Sequence, residues 1–368
     1  YGAPQVAVAP NGDSVVVWQT GDFGSPPAET PAVWFRLFRA DGTAKTKQQR
    51  VSPSAARELL PRVAMGADGS FVVVWEGGTP ANGSVFGRRF DAAGRARGSA
   101  FSLRSNPATS ATEPVVALAP DGGFVAAWTG AGPRPEDFPS VYARRFDGAG
   151  HPLGPDFRVN TTVFDARESP RVAMNQDGVF VIGWVAYNGE GSFFDVMVRR
   201  FAADGTPQSD EIQVNSGDDT VGSQDELALG MARDGSFVGL WTDQPLLLSP
   251  APPNGFFGQR FTAGGEPLGP PFRIDASQQT IRLEPTLAVA ADGSFFAAWS
   301  SYVAGTSGSV SIVGRRFASD GTPRGPDLRI DRSAARGKGS PSAALGGGGR
   351  GFVVWAQDDG IVAVRLTP

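Results

Sequence analysis

The sequence predicts an all-β fold, a seven-bladed β-propeller of four-stranded antiparallel blades with the last blade three-stranded. Three observations carry this. An apolar run ending in tryptophan recurs at Trp18, Trp75, Trp128, Trp184, Trp241, Trp299 and Trp355, at spacings of 53 to 58 residues. Periods of this length signal propellers, solenoids or arrays. A glycine stands six residues before each tryptophan, and in five copies Asp-Gly lies just ahead of the Phe that opens the run, from Asp68-Gly69 to Asp292-Gly293. Asp-Gly between apolar runs is a hairpin signal and predicts a type I′ turn with positive φ at both central residues. No 3.6-residue apolar period interrupts the pattern, and seven equivalent strands fit neither a sandwich pair nor an open solenoid. Because the repeat runs from end to end, residues 1–368 are expected to form one domain, with blades near 1–57, 58–110, 111–166, 167–223, 224–281, 282–337 and 338–368.

The third repeat shows the elements in order. Pro114-Val115-Val116-Ala117-Leu118 is a short strand, and Asp121-Gly122 turns it into Phe124-Val125-Ala126-Ala127-Trp128, which is apolar on both faces and therefore buried on both. A loop to Ser140 leads into Val141-Tyr142-Ala143-Arg144-Arg145-Phe146, and a second turn, Asp147 to Pro152, leads into Phe157-Arg158-Val159-Asn160. Eleven residues before each tryptophan the residue is small: Ala7, Ala64, Ala117, Ala173, Gly230, Ala288 and Ala344. Seven strands converging on an axis leave little room, so this strand is expected to be innermost. Strand order then puts the short turns on one face and every long loop on the other, where function is expected. The final strand, 361–366, aligns with a third strand and has no successor, so its exposed edge is expected to recruit another strand.

Pro170-Arg171-Val172-Ala173, Asp177-Gly178-Val179-Phe180-Val181-Ile182-Gly183-Trp184, Arg199-Arg200-Phe201-Ala202-Ala203-Asp204-Gly205-Thr206-Pro207 and Ile212-Gln213-Val214-Asn215 resemble repeats of large bacterial secreted and cell-surface proteins. The resemblance covers the whole chain and implies a propeller in an extracellular, cell-surface or periplasmic setting, with no shared activity. The start at a repeat strand, without a basic and apolar leader, fits a trimmed form. Two defined propeller repeats do not match. The sialidase-type Asp-box ends Gly-x-Thr-Trp, whereas five residues separate Gly69 from Trp75, and the integrin-type calcium repeat needs several carboxylates where this turn offers one.

Composition narrows the chemistry. There is no cysteine, and His151 is the single histidine, at a turn position held elsewhere by Thr43, Arg95, Thr206, Glu266 and Thr322. A histidine triad and a clustered zinc site are thereby disfavoured, and no catalytic residue, metal or cofactor is predicted. A net charge of -4 gives no reason to approach nucleic acid, and no apolar run is long enough for membrane insertion. The tryptophans are expected to pack between blades rather than stack on sugars. The arginine columns (Arg36, Arg88, Arg144, Arg199, Arg315 and their neighbours) are expected to pair with turn carboxylates such as Asp68 and Asp121. Glu113, Glu226 and Glu284, with Glu168 and Glu58 close by, recur in register and are expected to hold neighbouring loops. The expected function is a non-enzymatic secreted or surface scaffold binding a protein partner. The partner surface would be Leu246, Leu247, Leu248, Phe138, Tyr187, Phe193, Phe194 and Tyr302 on the long-loop face and Ile361, Ala363 and Arg365 on the edge. A carbohydrate-binding lectin and a carboxylate-dependent glycosidase are the alternatives.

Overall fold

The computed structural model describes residues 2–21, 30–52, 56–79, 82–106, 110–131, 138–163, 166–187, 194–215, 222–245, 255–276, 280–303, 310–332, 338–358 and 360–367. Six antiparallel sheets have four strands each, and the seventh has three. In every sheet the strands lie in sequence order. The first strands, such as Ala111–Leu118 and Arg167–Met174, line the axis, and each packs against its counterpart in the blades on either side, Gly2–Val8 touching both Gly339–Leu345 and Glu58–Met65 to close the ring. The close approach at the axis explains the small column. At Gly230 an added Cβ would lie 2.4 Å from Val289.

The second strands are the core. Phe124–Gly130 is buried at every position, as are its counterparts nearly throughout. Each tryptophan packs across a blade boundary: Trp184, 0% exposed, sits with Phe180 and Ile182 of its own blade against Val115, Ala127, Val141 and Val159 of the preceding one. Among the described residues the last strand, Gly360–Leu366, pairs only with Gly351–Gln357, so blade seven ends there on an unpaired edge. Among the described residues the sole helical element is the short turn Gly347–Gly349.

Two local expectations are corrected. The Asp-Gly turns are not type I′. In the turn at Asp68, the Gly66 N–H bonds Ser70 O at 2.8 Å, the Gly69 N–H bonds Gly66 O at 3.0 Å, and only Gly69 has positive φ, +80°. This is the three-residue hairpin in which a type I turn is followed by one left-handed glycine. Asp68 contributes a side-chain oxygen that accepts from the Ser70 N–H (2.9 Å) and hydroxyl (2.6 Å).

The turn carboxylates are thus already engaged, and the arginines go elsewhere. The first of each Arg-Arg pair donates through Nε to its own hairpin carbonyl and through Nη1 backwards to the preceding blade, Arg199 reaching Ser209 O (3.1 Å) and Val159 O (2.9 Å). The second reaches forward to the next blade's turn: Arg200 to Gly264 O (3.0 Å), Arg260 to Ser319 O (3.0 Å) and Arg145 to Asp204 O. A guanidinium fork can bridge two carbonyls where a single ammonium could not span both.

Turn hydrogen bonds hold the carboxyls of Asp41, Asp68, Asp147, Asp204, Asp234, Asp292 and Asp320 below the ordinary aspartate range. A carboxyl depressed in the folded state stabilises it above the unfolded pKa, and that contribution disappears as pH falls through the folded value. Burial pushes Glu58 and Asp275 the other way. Because the lowered group recurs around the ring, the melting temperature is expected to drop once pH falls below about 4. A melting temperature unchanged between pH 7 and pH 3 would show that the turn carboxylates carry no such linkage.

Candidate functional site

In blades two to seven the innermost strand carries a β-bulge where it enters the sheet, seen as register shifts at Leu59/Arg62, Thr112/Val115, Glu168/Arg171, Asp225/Ala228, Leu283/Thr286 and Gly339/Ser342. At the bulge a non-glycine residue takes left-handed backbone: Leu60, Glu113, Ser169, Glu226, Glu284 and Ser340, with φ from +48° to +56°. Bulging frees a backbone N–H from the ladder, and a side chain of the preceding blade captures it. Gln19 Oε1 accepts from the Leu60 N–H at 2.7 Å. Glu76 accepts from the Glu113 N–H. Glu113 accepts from the Ser169 N–H at 3.0 Å, Glu226 from the Glu284 N–H at 2.9 Å, and Glu284 from the Ser340 N–H at 2.6 Å. In blades one and two the acceptor follows the tryptophan. In blades three and six it is the bulge glutamate, steadied by a hydroxyl in the post-tryptophan position, Thr129 on Glu113 (3.0 Å) and Ser300 on Glu284 (2.8 Å). The register glutamates do hold neighbouring blades, as the sequence led us to expect.

This ring of latches surrounds an axial opening of about 460 Å³ on the long-loop side. Its lining includes Arg62, Arg171, Glu226, Glu284, Gln5, Thr286 and Ser340. Arg62 donates to Pro61 O (3.1 Å) and Arg171 to Pro170 O (2.9 Å). Burial, together with repulsion from Arg171, holds the Arg62 guanidinium down to about 10, and burial also lowers Arg171 against the attraction of Glu113 and Glu226. Near the same end, burial and then the Glu113 charge push the Glu168 carboxyl up; burial leads for Glu76 too, with the Glu113 charge adding to it. The lining therefore combines two carboxylates engaged by hydrogen bonds, Glu226 and Glu284, with two cations, while the exposed Glu168 and the half-buried Glu76 lie outside it. A second opening of about 500 Å³ at the seam of blades one and seven, lined by Arg350, Phe352 and Arg365, contains no carboxylate.

Sequence reasoning sought function in the long loops and on the final edge strand, and it did not single out Arg62 or Arg171. Leu246, Leu247, Leu248 and Phe193 lie outside the described residues. Phe138 is 51% exposed. Tyr187 and Phe194 face each other across a strand pair, ring centroids 5.6 Å apart, and Tyr302 is half-buried. Ala363 and Arg365 are exposed on the edge strand, whereas Ile361 packs against Val354 and Phe352. The seven tryptophans are 0–7% exposed, which removes them as sugar platforms. His151 is an exposed turn residue whose Nδ1 lies 3.1 Å from Asp147. Among the described residues no three His, Asp or Glu side chains gather to hold a metal, and no helix is long and apolar enough to cross a membrane.

No protein-family model and no curated protein matches the chain. Solved structures do. A puromycin hydrolase is similar over 100% of this chain and 52% of its own, at TM-score 0.59 and 14% identity, so this chain spans about half of that enzyme. The polysaccharide lyase Uly1 is similar over 99% of this chain and 89% of its own, at TM-score 0.57 and 9% identity. The GH93 α-L-arabinofuranosidase of Fusarium graminearum, solved with arabinobiose, is similar over 86% and 96%, at TM-score 0.55 and 10% identity.

At these identities the likeness is one of fold alone. It nevertheless corrects the expectation of a non-enzymatic scaffold for a protein partner, because these neighbours are described as enzymes, two of them acting on carbohydrate, and none as a scaffold. The loop surface on which that expectation rested is in part outside the described residues, and two of its four described aromatics, Tyr187 and Phe194, are engaged with each other.

Proposed function

We propose that this chain is a carbohydrate-active enzyme, outside the cell, that takes a saccharide into the axial opening. The observation that carries the reading is the chemistry assembled there: two carboxylates beside two guanidiniums, in a concave site at the convergence of the blades. Cleavage of a glycosidic linkage needs a proton donor and an ionised partner, and environments that push neighbouring carboxyls apart supply both. Glu168, exposed at the entry of the innermost strand that carries Arg171 and raised by partial desolvation and then by the Glu113 charge, is the proton donor in this reading. Glu226 and Glu284 in the lining face the substrate with their charge. Polysaccharide lyase and arabinofuranosidase activities on the same fold support the class of substrate.

The test is release of reducing ends or unsaturated products from a polysaccharide panel. On the substrate that responds, Glu168→Gln is expected to lower turnover by about a hundredfold or more, the scale of a general acid, with the melting temperature unchanged. Full turnover in that variant would remove Glu168 from the chemistry, and a panel without any product would remove the enzymatic reading.

A further inference from the structure

We propose that the axial opening selects an acidic saccharide, whose anionic group sits between the guanidiniums of Arg62 and Arg171; the inference rests on the saccharide reading above. The argument starts from one column of the repeat, the second residue of each innermost Pro-x-Val-Ala strand: Gln5, Arg62, Val115, Arg171, Ala228, Thr286 and Ser342. Outside blades two and four the column serves the fold. Val115 and Ala228 are buried between blades. Thr286 Oγ1 accepts from the Ala343 N–H at 3.0 Å, and Ser342 Oγ from the Val6 N–H at 3.2 Å, closing the ring onto blade one. A small or uncharged residue satisfies the architecture there, so the architecture does not require arginine.

The two arginines are also expensive. Among the described residues neither has an ion-pair partner, although each feels the carboxylates of nearby glutamates. Each uses a donor on the carbonyl of the proline before it, and none of the remaining N–H groups is sealed from water without an acceptor. Five donors per fork leave most of each guanidinium available to a ligand. Glu113, Glu226 and Glu284 direct their carboxylates to the N–H groups of Ser169, Glu284 and Ser340 and form no ion pair with either guanidinium among the described residues. Two like charges enclosed at the axis repel, and an anion between them relieves that repulsion. Planar forks match a carboxylate or a sulfate through paired hydrogen bonds.

Binding is measured by calorimetry on the purified chain with oligogalacturonate and with a sulfated galactan oligosaccharide, each against its methyl-esterified or desulfated counterpart. The acid form is expected to bind roughly ten- to a hundredfold tighter, the scale of charge-assisted hydrogen bonds, with affinity falling as salt rises. Whichever acid shows the preference identifies carboxylate or sulfate as the anion. Arg62→Met with Arg171→Met is expected to abolish the preference. Equal binding of acid and neutral forms overturns the inference and leaves the saccharide reading standing. Failure of every saccharide to bind overturns both. If the double variant does not fold, the wild-type comparison of acid with neutral form decides alone.

Discussion

Trp184→Ala is expected to lower the unfolding free energy by about 3–5 kcal/mol, the scale for removing a large buried aromatic and leaving its cavity. The indole is 0% exposed and belongs to a cluster drawn from two blades, with Val115, Ala127, Val141 and Val159 on one side and Phe180 and Ile182 on the other. Its removal therefore loosens a blade interface as well as a blade interior. The indole N–H has no acceptor, so the ring contributes packing rather than a hydrogen bond. That separates two substitutions. Trp184→Phe keeps most of the volume, loses no hydrogen bond, and should cost well under half as much. Chemical denaturation of both variants checks the order, and equal losses would mean that the N–H has a partner and the account of packing is wrong.

The blade architecture was legible because it rests on properties that repeat and that local chemistry dictates. Apolar runs buried on both faces, turn glycines and a small axial column each have one physical meaning, and their period counts the blades. The three-stranded last sheet followed from the same alignment, since 360–366 matches a third strand. The turn class was misread because Asp-Gly serves two hairpin types, and the number of loop residues, which distinguishes them, depends on which flanking pair closes the ladder.

The latches were only half legible. Glutamates in register pointed to structural bonds, but nothing in Leu60, Glu113 or Ser340 as residue types announces a left-handed backbone, which tertiary contacts impose. Their acceptors come from different sequence positions in different blades, so no single column shows them. The arginine clamps were misassigned because sequence shows the charge of a partner and not its backbone carbonyls, which are the acceptors used. The axial arginines carried a signal that went unread. They are the charged residues in a column otherwise uncharged, and in a repeat protein a departure confined to two copies marks what the fold does not need.

The same logic identifies a charge that the fold does need, and predicts that Arg282→Leu destabilises the protein by about 3–5 kcal/mol at neutral pH, the cost of stranding a buried charge. Where the fourth strand ends, a side chain completes the pairing with the third. Asn160 Oδ1 accepts from the Val141 N–H at 2.9 Å and Asn215 Oδ1 from the Val196 N–H at 3.0 Å. Blades five and six use aspartate instead, Asp275 accepting from the Phe256 N–H and Asp331 from the Ile312 N–H, both at 3.0 Å. The hydrogen bond is the same, but the aspartates bring charge into the interior and need a cation. Lys338 serves Asp331, and Arg282 serves Asp275 at 2.7 Å with both side chains almost fully buried, 2% and 1% exposed. Arg273 assists from 3.1 Å but is 26% exposed. Even with both arginines present, burial pushes the Asp275 carboxyl up. A carboxyl raised in the folded state opposes folding above that value and ceases to do so once protonated. The deficit of Arg282→Leu should therefore shrink as pH falls. Adding Asp275→Asn, the residue type that blades three and four use, keeps an acceptor for the Phe256 N–H, removes the charge, and is expected to restore most of the lost stability. Urea unfolding of wild type, single and double variants at pH 7 and pH 5 provides the measurement. A single variant as stable as wild type at pH 7 would mean that Arg273 alone satisfies the buried aspartate, and the charge would then be no constraint on that blade.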